Sequence, residues 1–248
     1  MRAVLLAAAL LLVHSTARAA DLSVFTPGAV QSIVHQVAKD YEQKTGDKVL
    51  FLSGTAGAIA HRVADGERGD VVIATSKGIA NLAKAGKVDP STIRNLGSMG
   101  VGVAVRKGAP KPDIHDVAAF KAAMLKANSI MFANPAKGGQ SGIHVAKVLK
   151  QLGIYKELQP KLRLRDRSPD GLKEVAAGTI DIGLGQISEI LAAKNVVLVG
   201  PLPGPIQGLV TFTAAVDTAA KDRGAAQKLI EMLTSRHAKE LFKKAGFE

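Results

Sequence analysis

The chain has 248 residues and no cysteine, which removes disulfides, thiolate catalysis, cysteine-held metals and a lipid-modified cysteine anchor. Its 33 Lys+Arg against 21 Asp+Glu give a formal charge of +12, a balance that suits nucleic acid, an anionic membrane surface or a small anion. Lysines are scattered rather than blocked, and seven Phe, two Tyr and no Trp leave few rings to stack on bases, so an anionic small molecule is favoured over nucleic acid.

Arg2, the apolar run Val4 to Val13 and the small-x-small Ala17-Arg18-Ala19 read as a secretory leader over residues 1–19, cut after Ala19. No later run reaches the roughly 18 apolar residues of a membrane helix. The product is therefore expected to be a soluble, monomeric protein of the periplasm.

Strands and helices then alternate. Leu22 to Phe25 reads as a strand. A helix over about 28–45 follows, with Val30, Ile33, Val34, Val37, Ala38 and Tyr41 on one face and Gly46 as its stop. Strand Val49 to Leu52, a helix over about 56–65 and strand Val71 to Ala74 complete a β-α-β-α-β unit. Uninterrupted apolar runs such as Val71-Val72-Ile73-Ala74 suit parallel strands covered by helices on both faces. A long strand from Ser98 to Arg106 ends in Gly108-Ala109-Pro110-Lys111-Pro112, after which the pattern restarts. Helices Val117 to Lys126, Ser141 to Leu152 and Pro169 to Ala177 alternate with strands Ile130 to Ala133, Ile180 to Leu184 and Val196 to Val199. Gly200-Pro201-Leu202-Pro203-Gly204-Pro205 breaks it again, and a strand Leu209 to Val216 plus two helices return to the start. The prediction is a two-lobed α/β fold, lobe I from 20–104 plus 206–248 and lobe II from 105–205, each a mixed sheet flanked by helices and joined by two crossings that act as a hinge.

Ligands in open α/β sheets sit where strands end and helices begin, because free N–H groups there favour anions. Four such junctions are candidates: Thr26, Gly28 and Ala29; Ser53, Gly54, Thr55 and Ala56; Asn134, Gln140, Ser141 and Gly142; and Ser168, with Pro169 at the first helical position. Each could equally be ordinary capping. Their distribution over both lobes is what favours a shared cleft.

Several segments resemble the periplasmic molybdate-binding proteins and their relatives among the type II solute-binding proteins, over nearly the whole chain after the leader. They are Leu22-Ser23-Val24-Phe25, Ser53-Gly54-Thr55, Gly69-Asp70-Val71-Val72-Ile73-Ala74, Asn134-Pro135 with its glycine-rich turn, Val175 to Gly183, and the ending from Leu229 to Phe247. The resemblance implies a tetrahedral oxyanion held by hydroxyls and amides of both lobes, and delivery to an inner-membrane ABC permease. Ala29 stands at the family's first serine, Thr55 or Ala56 at its second hydroxyl, Ser141 and Ser168 at the third and fourth, and Gln186 at a tyrosine. These departures shift the expected ligand to an organic di- or tricarboxylate, with molybdate or tungstate as the alternative.

Arg62 is a candidate for gripping a carboxylate through two parallel hydrogen bonds; a solvated helix position is the plain reading. No Gly-x-Ser-x-Gly elbow, phosphate loop or dinucleotide fingerprint occurs. Asp70 and Asp181 are read as structural rather than as an acid/base pair, and the histidines lack metal-ligand spacing. A binding protein rather than an enzyme is expected, without metal or cofactor.

Overall fold

A computed structural model describes residues 20–248, so the expected leader lies outside the described residues. The first half runs β1 (Asp21–Pro27), α1 (Gly28–Thr45), β2 (Lys48–Gly54), α2 (Ala56–Ala64), β3 (Val71–Thr75), α3 (Ser76–Lys84), β4 (Arg94–Met99), β5 (Val101–Arg106) and α4 (Val117–Lys126). The second runs β6 (Ile130–Ala133), α5 (Gln140–Gln151), α6 (Tyr155–Leu158), β7 (Leu162–Arg165), α7 (Ser168–Ala177), β8 (Ile182–Gln186), α8 (Ile187–Ala192), β9 (Val196–Pro201), β10 (Val210–Val216), α9 (Arg223–Leu233) and α10 (Arg236–Lys244).

These strands build two mixed sheets, β2-β1-β3-β10-β4 in lobe I and β7-β6-β8-β5-β9 in lobe II. In each, the strands that feed helices run parallel and the returning strands run antiparallel: β1 pairs parallel with β2 and β3, β6 with β7 and β8, while β10 opposes β3 and β5 opposes β8. Helices cover both faces. In lobe I, Leu22, Val24, Val71 and Ile73 pack under α1, α9 and α10, and Phe25, Val72 and Ala74 pack under α2 and α3. Lobe II repeats this, with Phe132 and Leu184 on the α5 side and Met131 on the α7 side. Burial of each such side chain contributes about 1.5–3 kcal/mol. The helix expected over 28–45 is α1, closed by Gly46 at φ 79°, whose N–H donates to the Glu42 carbonyl.

Two expectations need correction. The strand from Ser98 to Arg106 is broken at Gly100, with β4 in lobe I and β5 in lobe II, so the first crossing lies there and not at 105. Helices α3, α6 and α8 and strand β7 were also not foreseen. The second crossing follows β9, over 202–209, close to the predicted place. Gln207 ties the two crossings together: its Oε1 accepts from the Val101 N–H at 3.0 Å and its Nε2 donates to the Val101 carbonyl at 2.8 Å. A Cβ at Gly100 would lie 2.9 Å from that amide nitrogen, so the crossing needs glycine for close approach.

Asp70 is structural as expected. Its carboxylate accepts from the Ser23 N–H at 2.8 Å and the Lys221 N–H at 2.7 Å, stitching β1 to the chain after β10. Asp181 does the same for Asn128, at 2.8 Å from its backbone N–H. Among the described residues no helix is long and apolar enough to cross a membrane.

Candidate functional site

The lobes meet around a cleft at the carboxyl ends of β1, β2, β6 and β8. Four helices point their N-termini into it: α1 at Gly28 and Ala29, α2 at Ala56, α5 at Gln140 and Ser141, and α7 at Ser168 and Pro169. At the start of α1, α5 and α7 no side chain caps the helix, because Pro27, Gly139 and Arg167 occupy the cap positions without such a bond. No side chain takes the first N–H groups of α1 and α5, while in α7 Pro169 has no N–H and the Asp170 N–H donates to the Arg167 carbonyl at 3.2 Å; the three converging positive helix ends favour negative charge. Helix α2 differs, since the Thr55 hydroxyl accepts from the Ala58 N–H at 3.1 Å.

The lobes touch at both rims. On one side the Thr55 hydroxyl donates to the Lys137 carbonyl at 2.6 Å and the Gly57 N–H donates to the Gly138 carbonyl at 3.3 Å. On the other the Ser188 hydroxyl donates to the Ala29 carbonyl at 2.6 Å. The arrangement is a closed clamp.

Of the residues expected at the site, Gly28, Ala29, Ser53, Gly54, Thr55, Ala56, Gln140, Ser141, Ser168 and Gln186 line the cleft. Thr26 sits fully buried just behind Pro27, and its hydroxyl oxygen has no hydrogen-bond partner. The buried Gln186 Oε1 is likewise unpaired, which leaves an acceptor in the wall for a ligand or water. Three expected residues stand elsewhere. Arg62 is committed to the Glu67 carboxylate, to the Ser53 carbonyl at 3.2 Å and to the Phe25 ring face, 5.1 Å away. The Asn134 side chain accepts from the Ala136 N–H at 3.1 Å and so stiffens its own turn. Gly142 presses on the Ala133 carbonyl, where its missing Cβ is what permits α5 to approach β6.

Cation and carboxyl are supplied instead by two residues outside the expected set. Arg167 lines the mouth, bridged to Asp170 at 3.5 Å. Glu189, on α8, lies against Gly28, where an added Cβ would strike its carboxyl oxygen. Burial pushes its pKa up from 4.5 to about 7, against the opposing pull of the Ser168 hydroxyl, the Arg167 charge and the Gln186 backbone N–H. The apolar Ala133 and Phe212 also line the cavity. The sequence offers little for Glu189: Ile187, Ile190 and Leu191 stand at helical spacing directly after β8, but over too short a run to define a helix.

Two hinged α/β lobes closed over a cleft of helix N-termini define a solute-binding protein. The chain belongs to the bacterial extracellular solute-binding proteins, whose family model matches residues 22–248. Among relatives it is 30% identical over 233 residues to the aconitate isomerase of a Pseudomonas species, covering 92% of this chain and 87% of that one. It is 26% identical to the molybdate-binding protein ModA of Azotobacter vinelandii, covering 95% and 93%. The solved structure of the Azotobacter vinelandii periplasmic molybdate-binding protein superposes with a TM-score of 0.76 at 19% identity, over 92% of this chain and 98% of that one, a likeness of fold.

Proposed function

We propose that the protein is a periplasmic receptor whose cleft captures a small organic polycarboxylate and presents it to an ABC permease. The observation that supports this most is the mixed character of the cleft. A site for a compact oxyanion dianion needs donors all round, and an acceptor carboxyl in its wall works against it. Here uncapped helix ends and Arg167 sit beside Glu189 and the unpaired Gln186 oxygen, and Ala133 and Phe212 add apolar surface. A di- or tricarboxylic acid matches all three: carboxylates for the helix ends, a carboxyl able to share a proton with Glu189, and a carbon frame for the apolar wall. The 30% identity to an aconitate isomerase favours the same class, aconitate being a tricarboxylate. Ala29, at the position of the family's first serine, removes a hydroxyl that an inorganic oxyanion would use.

Thermal unfolding with a panel of ligands tests the reading. Tricarballylate, citrate or aconitate should raise the melting temperature most, since a ligand at 100 times its Kd adds about 2.7 kcal/mol of stability. A larger shift with molybdate, tungstate or sulfate at the same concentration overturns it.

A further inference from the structure

The cleft carries one group that capture of an anion does not call for. Among the described residues that line it, Glu189 has the one carboxyl, placed against the backbone of Gly28 at the start of α1, with the Ser168 hydroxyl and the Gln186 N–H beside it. The nearby cation does not neutralise it outright, because Arg167 is itself bridged to Asp170. A pure receptor would be served as well by an amide there, since a buried negative charge repels the ligand the helix ends attract. A carboxyl set beside uncapped helix N-termini in the wall of the cleft is instead an arrangement able to move a proton while negative charge builds up next to fixed positive dipoles.

We propose that Glu189 is a catalytic acid–base residue, and that the cleft shifts a proton between carbons of a bound unsaturated polycarboxylate, interconverting its double-bond isomers. This rests on the reading of the cleft as a polycarboxylate site. The ionised Glu189 takes a proton from the saturated carbon next to the double bond. That C–H bond breaks, and its electron pair spreads through the double bond into the attached carboxylate. The added charge develops on carboxylate oxygens near the uncapped starts of α1 and α5, the positive end of α7 and Arg167, which stabilise it. Glu189 then returns the proton to the far carbon of the three-carbon unit. A new C–H bond forms there, the double bond ends one carbon along, and Glu189 is ionised again. Nothing is oxidised or reduced, and no co-reactant is consumed. Burial, which lifts the Glu189 pKa to about 7, makes it a stronger base than an exposed glutamate while leaving much of it ionised at neutral pH.

The test is hydrogen exchange at carbon. The purified protein is incubated in D2O with aconitate, the isomers and their deuterium content are followed by NMR, and binding of aconitate and of saturated tricarballylate is measured by calorimetry. Deuterium should enter aconitate and the ratio of its isomers should move toward equilibrium. Glu189→Gln should bind within a few-fold of wild type yet exchange roughly 100-fold more slowly or worse. Glu189→Asp, which keeps the carboxyl but withdraws it, should bind normally and exchange at an intermediate rate. Bound aconitate whose isomer ratio stays fixed and which gains no deuterium overturns the catalytic role and leaves the polycarboxylate reading standing. Failure of both ligands to bind overturns both. Wild-type exchange in a folded Glu189→Gln, or in Glu189→Asp should Glu189→Gln not fold, removes the assignment to this residue.

Discussion

Glu189 makes a second, purely thermodynamic statement. Its carboxyl titrates near 4.5 in the unfolded chain and at about 7 in the fold, so the folded state binds the extra proton between those values. Stability is unaffected by this group below about pH 4.5, falls as pH rises toward 7, and stays lowered above it. Glu189→Gln removes the titration: denaturant melts should find it close to wild type at pH 4.5 and more stable by about 1–3 kcal/mol at pH 8. A variant that loses stability at pH 8 would mean the carboxylate is well solvated or paired. Arginine gives a contrasting case. Arg167→Ala should weaken polycarboxylate binding about tenfold, as expected for loss of one charge-assisted hydrogen bond, whereas Arg62→Ala should change it less than twofold because Glu67 already occupies that guanidinium. Calorimetry on both variants decides between them. At this scale the sequence was legible where a residue's place follows from a strand-helix junction, as for Ser53, Ser141 and Ser168, which line the cleft. It was illegible where a partner decides the role: nothing in the spacing of Arg62 says that Glu67, one turn on, will fold back onto it.

Among the elements, the long amphipathic ones could be read directly, because α1, α5 and α7 carry apolar residues at helical spacing and end or begin with Gly or Pro. The short α8 could not, since six residues give fewer than two turns of periodicity, and with it the carboxyl of the site was missed. Strands β4 and β5 merged in the reading for a similar reason: Gly100 between two apolar runs looks like a strand glycine until the pairing partners are known. The junction between α2 and the turn before α5 carries its own consequence. An added Cβ on Gly57 would lie 2.8 Å from the Gly138 Cα, backbone against backbone, so Gly57→Ala cannot keep this rim shut. It should leave the melting temperature without ligand unchanged and weaken polycarboxylate binding by tenfold or so, about 1.4 kcal/mol. Small-angle scattering at saturating ligand should find its radius of gyration larger than that of the liganded wild type; equal radii would show that the turn yields.

For the whole molecule, Gly/Pro punctuation after β9 marked the second crossing, whereas the punctuation over Gly108 to Pro112 misplaced the first, which lies at Gly100. The order of strands within each sheet was not readable. It depends on β10 returning to lie between β3 and β4, and on β5 between β8 and β9, pairings between segments more than 75 residues apart in sequence. The positive charge also acts at this scale. A formal +12 spread over the surface draws anions from all sides, while selection among them is left to the closed cleft.

Gln207 fastens the two crossings side by side through both the N–H and the carbonyl of one residue, Val101, at 3.0 Å and 2.8 Å. Two separate tethers would let the lobes slide and twist as well as swing; a cross-braced pair leaves one easy rotation. The molecule then behaves as a latch with a single stroke, and its outline reports occupancy as a near-binary quantity. A membrane partner that recognises the shut outline would measure how far the stroke was completed, with no need to sense the cargo itself. An ill-fitting acid could be held tightly and still be refused, because it stops the latch short.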